Sequence, residues 1–136
     1  MTRKSDEGIY TVNGTTQAVA VDGTLNLGNI IRRFGCSVDL LGNAININDA
    51  GYYDINVSVT AEPTAIGTVT VSLFDNGVEV PGATASEAVA AANTPANLSL
   101  SSIVRVFCNE RSSNLTLVLT GTAANVTNVA ITAIKL

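Results

Sequence analysis

The chain has 136 residues, of which 46% are apolar and 13% are charged, and a chain of this length folds most simply as one domain. Seven basic and eleven acidic residues give a net charge of −4. This balance argues against nucleic acid as a partner, because domains that bind nucleic acid carry basic surfaces. Since no apolar run approaches the roughly eighteen residues of a membrane span, we expect no membrane insertion.

The N-terminal segment carries charges but no apolar pattern. Arg3, Lys4, Asp6 and Glu7 lie within the first seven positions, and no apolar run follows them as it would in a secretory signal. We therefore expect synthesis in a cytoplasm. Residues 1–16 are predicted to be an arm and lead-in, with these four residues as its candidate attachment points. A frayed terminus is the simpler alternative.

Short extended segments follow one another through the first third of the chain. Alternation predicts strands near 10–13, 17–21 and 45–47, and a single strand over 34–41. Between them, the irregular apolar run at 25–31 favours extended structure over a short helix. Glycine-containing turn dipeptides separate several of these segments.

The clearest pattern is the strict alternation at 51–60. Apolar side chains at the odd positions from Tyr53 to Val59 face one way, and polar ones at the even positions from Asp54 to Thr60 face the other. A strand in an antiparallel sheet with one buried face has this period of two.

The second half of the chain continues the pattern. Asn76-Gly77 between alternating runs predicts a hairpin, because both central turn positions need positive φ. The Ala-rich run 86–92 is too short to make a convincing helix, and loop or strand is favoured there. Further strands are predicted near 97–108, 115–120 and 126–136. In the last of these strands both faces are apolar, which predicts a second cover. Another subunit is the favoured cover, and the chain's own loops are the alternative.

Eight to ten short strands with no convincing helix predict an all-β antiparallel sandwich, barrel or jelly roll. The chain has no histidine, the commonest general base and metal ligand, and its carboxylates are scattered. We therefore expect neither an enzyme, nor a cofactor, nor a metal site. Cys36 and Cys108 are expected to be buried thiols, with a late disulfide as the alternative if they lie on adjacent strands.

Three segments carry a family resemblance: 50–53 leading into its strand, the strand–turn–strand at 71–78, and the closing strand at 129–136. Together they resemble the jelly rolls of tumour necrosis factor-like and complement globular-head domains. The likeness is to bacterial and phage members, such as the C-terminal domains of collagen-like spore-surface proteins and phage head-fibre or decoration proteins. The resemblance covers residues 17–136 and implies a ten-strand jelly roll that forms a homotrimer, with its last strand near the three-fold axis.

The sequence also departs from the family. It contains no Gly-X-Y stalk and lacks the aromatic-rich closing motif of animal members. Animal receptor binding and calcium binding are therefore not part of the expectation.

The resemblance implies a non-enzymatic phage virion structural protein, either a head decoration, a head fibre or a small fibre head. Its arm would attach the trimer to capsid or tail proteins, and loops at 61–67, 82–95 and 109–114 would face outward. The alternatives are a bacterial cell-surface or spore-coat adhesion module, and a carbohydrate-binding module with a cell-surface glycan as partner. The candidate residues of the subunit interface are Tyr52, Tyr53, Phe74, Phe107, Ala130, Ile134 and Leu136.

Overall fold

A computed structural model describes residues 7–107 and 112–136, which form two packed antiparallel β-sheets. The described residues contain eleven strands: β1 Gly8–Asn13, β2 Gln17–Val19, β3 Asn29–Phe34, β4 Val38–Leu41, β5 Ala44–Ile47, β6 Gly51–Pro63, β7 Gly67–Asp75, β8 Val78–Val89, β9 Ala96–Val106, β10 Ser113–Thr120 and β11 Ala124–Lys135. Sheet A has the order β3-β1-β11-β6-β9, with β2 also paired to β11, and sheet B has the order β4-β5-β10-β7-β8. The predicted all-β sandwich is confirmed. Within the described ranges, no helix is long and apolar enough to cross a membrane.

The core lies between the two sheets and is built from alternate residues of the long strands. Ile55 of β6 and Ile131 of β11 meet Leu73, Leu117 and others from sheet B, all of them almost fully buried. Each such aliphatic side chain contributes about 1.5–3 kcal/mol when it leaves water. The alternation of apolar residues along each strand thus places these side chains in the core.

A crossing segment closes one side of the sandwich. The backbone N–H of Leu25 donates to the carbonyl of Leu117, and that of Asp22 donates to the carbonyl of Leu119. The side chains of Leu25 and Leu27 are fully buried. The irregular apolar run expected to be extended therefore carries the chain across to sheet B and contributes two leucines to the core.

The N-terminal lead-in contains a strand of the sandwich. Strand β1 lies between β11 and β3, with Gly8 opposite both Ile134 and Phe34, and the side chain of Ile9 is buried. The boundary predicted at residue 17 therefore falls inside the folded unit. The physical reason is that β1 is held by pairing with β11 and β3, which are distant in the sequence. The short alternation within β1 does not by itself indicate these partners.

Two further segments differ from their predicted form. The strand expected over 34–41 is broken at Gly35, whose φ of 82° turns the chain out of β3 in sheet A and toward β4 in sheet B. The Ala-rich run is strand as far as Val89, the end of β8. The predicted hairpin has the expected turn, with φ of 51° at Asn76 and 83° at Gly77.

A tight approach between two strands requires glycine at position 121. Gly121 has φ of 86°, and a Cβ placed there would overlap the carbonyl oxygen of Thr68. Gly82 has a similar φ of 80°, but nothing lies within 4 Å of its missing Cβ. Comparing the same substitution at the two positions therefore separates the cost of backbone strain from the cost of steric overlap.

We expect Gly121→Ala to destabilise the fold by at least about 3 kcal/mol, because it adds overlap with a backbone atom to the cost of a left-handed conformation. The matched control Gly82→Ala should cost only about 1–2 kcal/mol, the conformational part alone. Urea unfolding of both variants at one protein concentration measures the difference. Equal losses would show that the approach of Gly121 to Thr68 is not limiting.

A partly buried polar cluster joins the end of β11 to the β5–β6 connection at the terminal end of the sandwich, where β1 begins and β11 ends. The Lys135 Nζ lies 2.6 Å from the Asp49 Oδ2, and the lysine is only 8% exposed. The Tyr53 hydroxyl donates to the carbonyl of Asp49 at 2.8 Å. Burial, followed by the nearby charges of Asp49 and Glu7, raises the pKa of Tyr53 to about 12.

The raised pKa of Tyr53 makes stability depend on pH in the alkaline range. Its contribution is complete below the ordinary tyrosine pKa of 10.0 and is lost as pH rises toward about 12, because the unfolded chain releases this proton first. Tyr53→Phe should abolish this part of the decline between pH 10 and 12, whereas Tyr52→Phe should leave it in place. Chemical unfolding across that range provides the measurement, and identical pH profiles for the Tyr53→Phe variant and the parent would contradict the assignment.

Candidate functional site

The outer face of sheet A is a surface that the strand periodicity leaves uncovered. The register aligns its side chains in rows across the sheet. One row contains Phe34, Gly8, Ile134, Asp54 and Ile103 on strands β3, β1, β11, β6 and β9. The neighbouring row toward the interior of the sheet contains Arg32, Tyr10, Thr132, Asn56 and Ser101 on the same strands.

The rows nearest the terminal end are apolar and aromatic. Tyr52 is 51% exposed and Ile103 is 60% exposed, although both lie on strands whose opposite faces form the core. We call this surface the apolar end patch, and its members are Phe34, Tyr52, Ile103, Phe107, Ile134 and Leu136, all exposed. Six large apolar side chains on one sheet face indicate a contact surface rather than scattered exposure.

Arg105 lies between two aromatic rings of this patch. Its guanidinium carbon is 4.3 Å from the ring centroid of Phe107 and 5.5 Å from that of Tyr52. Tyr52 is the cross-strand neighbour of Arg105, and Phe107 follows two residues later on the same side. The stacking holds the arginine against the patch, with tyrosine, phenylalanine and arginine together as in many interface centres.

The middle of the face is a shallow depression of about 470 Å³. Its floor is made of small side chains, among them Ala130, Ser58 and Ser99, which are consecutive across strands β11, β6 and β9. Tyr10 and Asn56 also line it. Small residues at neighbouring positions of three strands leave room for a protruding edge of another molecule.

The outer face of sheet A becomes polar toward the distal end of the sandwich, opposite the terminal end. There the Thr60 hydroxyl donates to the Asn97 side-chain oxygen at 3.1 Å. Along the strands, the outer side chains of sheet A thus change from aromatic at the terminal end to amide and hydroxyl at the distal end. Sheet B differs from it: hydroxyl and amide pairs such as Thr70 with Ser86 and Asn46 with Asn114 cover its outer face.

The structure brings most of the predicted interface residues together. Five of the seven lie on the outer face of sheet A: Tyr52, Phe107, Ala130, Ile134 and Leu136. Tyr53 faces the core and is fully buried, so its own chain already covers it. Phe74 is paired with Thr116 and Glu79 on the outer side of sheet B, away from this face. Ile103, Arg105 and Phe34 are not among the predicted residues, although the first two share the parity of Phe107, which directly follows β9.

The predicted attachment residues are only partly visible. Arg3, Lys4 and Asp6 lie outside the described residues. Glu7 is fixed to the fold: its carboxylate accepts hydrogen bonds from the backbone N–H and the hydroxyl of Ser37 at 3.0 and 3.2 Å, and its carbonyl accepts one from the Lys135 N–H. Glu7 therefore holds the β3–β4 connection in place.

The loops divide between the two ends of the sandwich. Connections 64–66, 90–95 and 121–123 share the distal end, where Thr64 and Asn93 bridge them through backbone hydrogen bonds. Strand β9 ends and β10 begins at the terminal end, opposite the distal end. Of the predicted loop 109–114, residues 109–111 lie outside the described residues. Residues 82–89 belong to β8 rather than to a loop.

The thiol of Cys36 is exposed and free, so its predicted burial is wrong. It lies in the connection after β3, which has no need of an apolar side chain. Cys108 lies outside the described residues. Among the residues that the structure describes, no three His, Cys, Asp or Glu side chains cluster as metal ligands would.

No protein-family model and no curated protein matches the sequence. Solved structures do match over nearly the whole chain. Murine APRIL at pH 8.0 aligns with a TM-score of 0.70 and 12% identity over 96% of this chain and 98% of its own. The globular domain of zebrafish complement 1qA aligns with a TM-score of 0.76 and 5% identity, covering 96% and 97%.

The vertex protein P5 of the phage PRD1 also matches, with a TM-score of 0.64 and 12% identity over 98% of this chain and 99% of its own. At such identities the likeness establishes the fold alone. The resemblance noted in the sequence is thereby confirmed at the level of architecture. The chain is a jelly roll of the tumour necrosis factor and complement globular-head type.

Proposed function

We propose that this chain is a non-enzymatic structural protein of a phage particle that assembles as a homotrimer through the outer face of sheet A. Its N-terminal segment attaches the trimer to a capsid or tail protein. The exposed apolar end patch beside the small-residue depression is the observation that carries this proposal. A face of this character on the central strands of a sheet is a surface that a second copy covers.

The molecule has a surface of its own that could cover the outer face of sheet A in a neighbouring copy. The free edge formed by β8 and β9 carries exposed apolar side chains: Val78 is 70% exposed, and Ile103 projects from the same edge. When the protruding edge of one copy fits the concave face of the next, the contact is heterologous. Repeating it closes a ring if the rotation from each copy to the next divides a full turn. The resemblance to complement globular heads and tumour necrosis factor-like domains supports a ring of three.

The placement of the two ends supports attachment by the N-terminal segment. Residues 1–6 precede β1 at the terminal end, and the C-terminus lies at that end as well. The distal end then faces away from the particle, with Ile66 at 70% exposure on its loop. The PRD1 vertex protein, whose solved chain aligns with this one over 99% of its residues, favours a virion as the location over a bacterial cell or spore surface.

A carbohydrate-binding module is the second candidate function. The depression is lined by hydroxyl and amide groups and by the ring of Tyr10, and such groups bind sugars. A glycan and a second copy would occupy the same surface. The oligomeric state therefore distinguishes the two functions.

Light scattering on the purified protein should give about three times the chain mass of 14.0 kDa. Ala130→Arg should give a folded monomer, because it places a charge and a long side chain on the floor of the depression. The matched control Thr116→Arg, on the outer face of sheet B, should remain trimeric. A monomeric parent protein, or an Ala130→Arg variant that stays trimeric, would contradict self-association through this face.

Deleting residues 1–6 should leave the fold intact and weaken incorporation into particles. The deletion must stop before Glu7, since that residue bonds Ser37 and Lys135, and removing Ile9 as well would empty part of the core. Mass spectrometry of purified virions made with each form measures the copy number. Equal incorporation of both forms would remove the attachment role.

A further inference from the structure

Two opposite charges lie within the apolar surface at the terminal end of sheet A. Arg105 on β9 is opposite Tyr52, and Asp54 on β6 is opposite Ile103. The two charged residues are therefore diagonal neighbours, about 7–8 Å apart at their Cα atoms. Among the described residues they are the charged members of the two rows that contain Ile103 and Tyr52 of the apolar end patch.

Neither charge has an ionic partner within the described part of its own chain, whose ion pairs are Arg33 with Asp39 and Lys135 with Asp49. The rings of Phe107 and Tyr52 hold the Arg105 guanidinium by stacking. The Asp54 carboxylate accepts a hydrogen bond from the Asn56 amide on its own strand at 3.3 Å. Each charged group is thus positioned by its neighbours and remains available on the surface.

Covering this face would bury both charges. A buried charge without a counter-charge is strongly destabilising, whereas a matched pair is tolerated. Arg105 lies on β9, the edge strand of the sheet, and Asp54 lies one strand further in, on the face. In a contact between the edge of one copy and the face of the next, the edge strand would carry Arg105 and the face would carry Asp54, at adjacent levels of the same end of the sheet.

We propose that Arg105 of each copy forms an ion pair with Asp54 of the adjacent copy, so that the ring contains one such pair at every subunit contact. This inference rests on the proposed self-association and adds the residues that determine how two copies align. The pair sets the register of edge on face, because any other register buries two unmatched charges. A three-membered ring contains three pairs, each completed by a neighbouring subunit.

The test exchanges charges between separate chains. Asp54→Arg and Arg105→Asp should each weaken the subunit dissociation constant by at least about 100-fold, since every contact then brings like charges together. Mixing the two variants in equal amounts should restore assembly as mixed trimers, because two of the three contacts in any mixed ring are matched. Native mass spectrometry resolves the mixed rings, and their formation also shows that both variants fold.

The mixed sample distinguishes a pair between copies from a pair within one chain. If Arg105 instead turned toward Asp54 of its own chain, the double variant would recover but mixing the single variants would not, and that outcome overturns the proposal. Glu62→Arg, the same charge change on the same strand near the distal end, should assemble like the parent protein. A parent protein that is itself monomeric would refute the proposed trimer, whereas a trimeric parent without rescue on mixing refutes only the ion pair.

Discussion

The period of two along β6 and β11 is the constraint on which the structure depends. Both strands lie inside sheet A, so every residue must face either the core or the outer surface. The core-facing set is aliphatic apart from Tyr53 and Lys135, whose polar atoms meet at Asp49. The outward set has no cover within the described part of the chain, and its aromatic and small residues form the face through which we propose that the chain self-associates.

Local pattern was enough to predict the architecture. Alternation over 51–60, the Asn76-Gly77 turn and the repeated strand spacing are short-range features, and each of them limits the backbone directly. Strand β1 was not recognised as part of the sandwich because its evidence is non-local. Six residues beside a charged segment form a strand there only because β11 and β3 supply partners on both sides.

The site was partly predictable for the same reason. Parity within a strand correctly groups Ala130, Ile134 and Leu136, but it does not tell which sheet a strand joins. Phe74 was grouped with them although its strand lies in sheet B. The stacking of Arg105 needs both a parity relation to Phe107 and a register relation to Tyr52. The register between strands that are distant in the sequence is set by the assembled fold, and the sequence of either strand alone does not determine it.

The position of β1 also determines how the molecule responds to mechanical load. A pull on the N-terminal segment enters β1 along its axis, between two antiparallel neighbours. Ladder hydrogen bonds run perpendicular to the strands, so such a pull loads both rows together in shear instead of opening them one after another. The same pull along an edge strand such as β3 would load only one row of ladder hydrogen bonds.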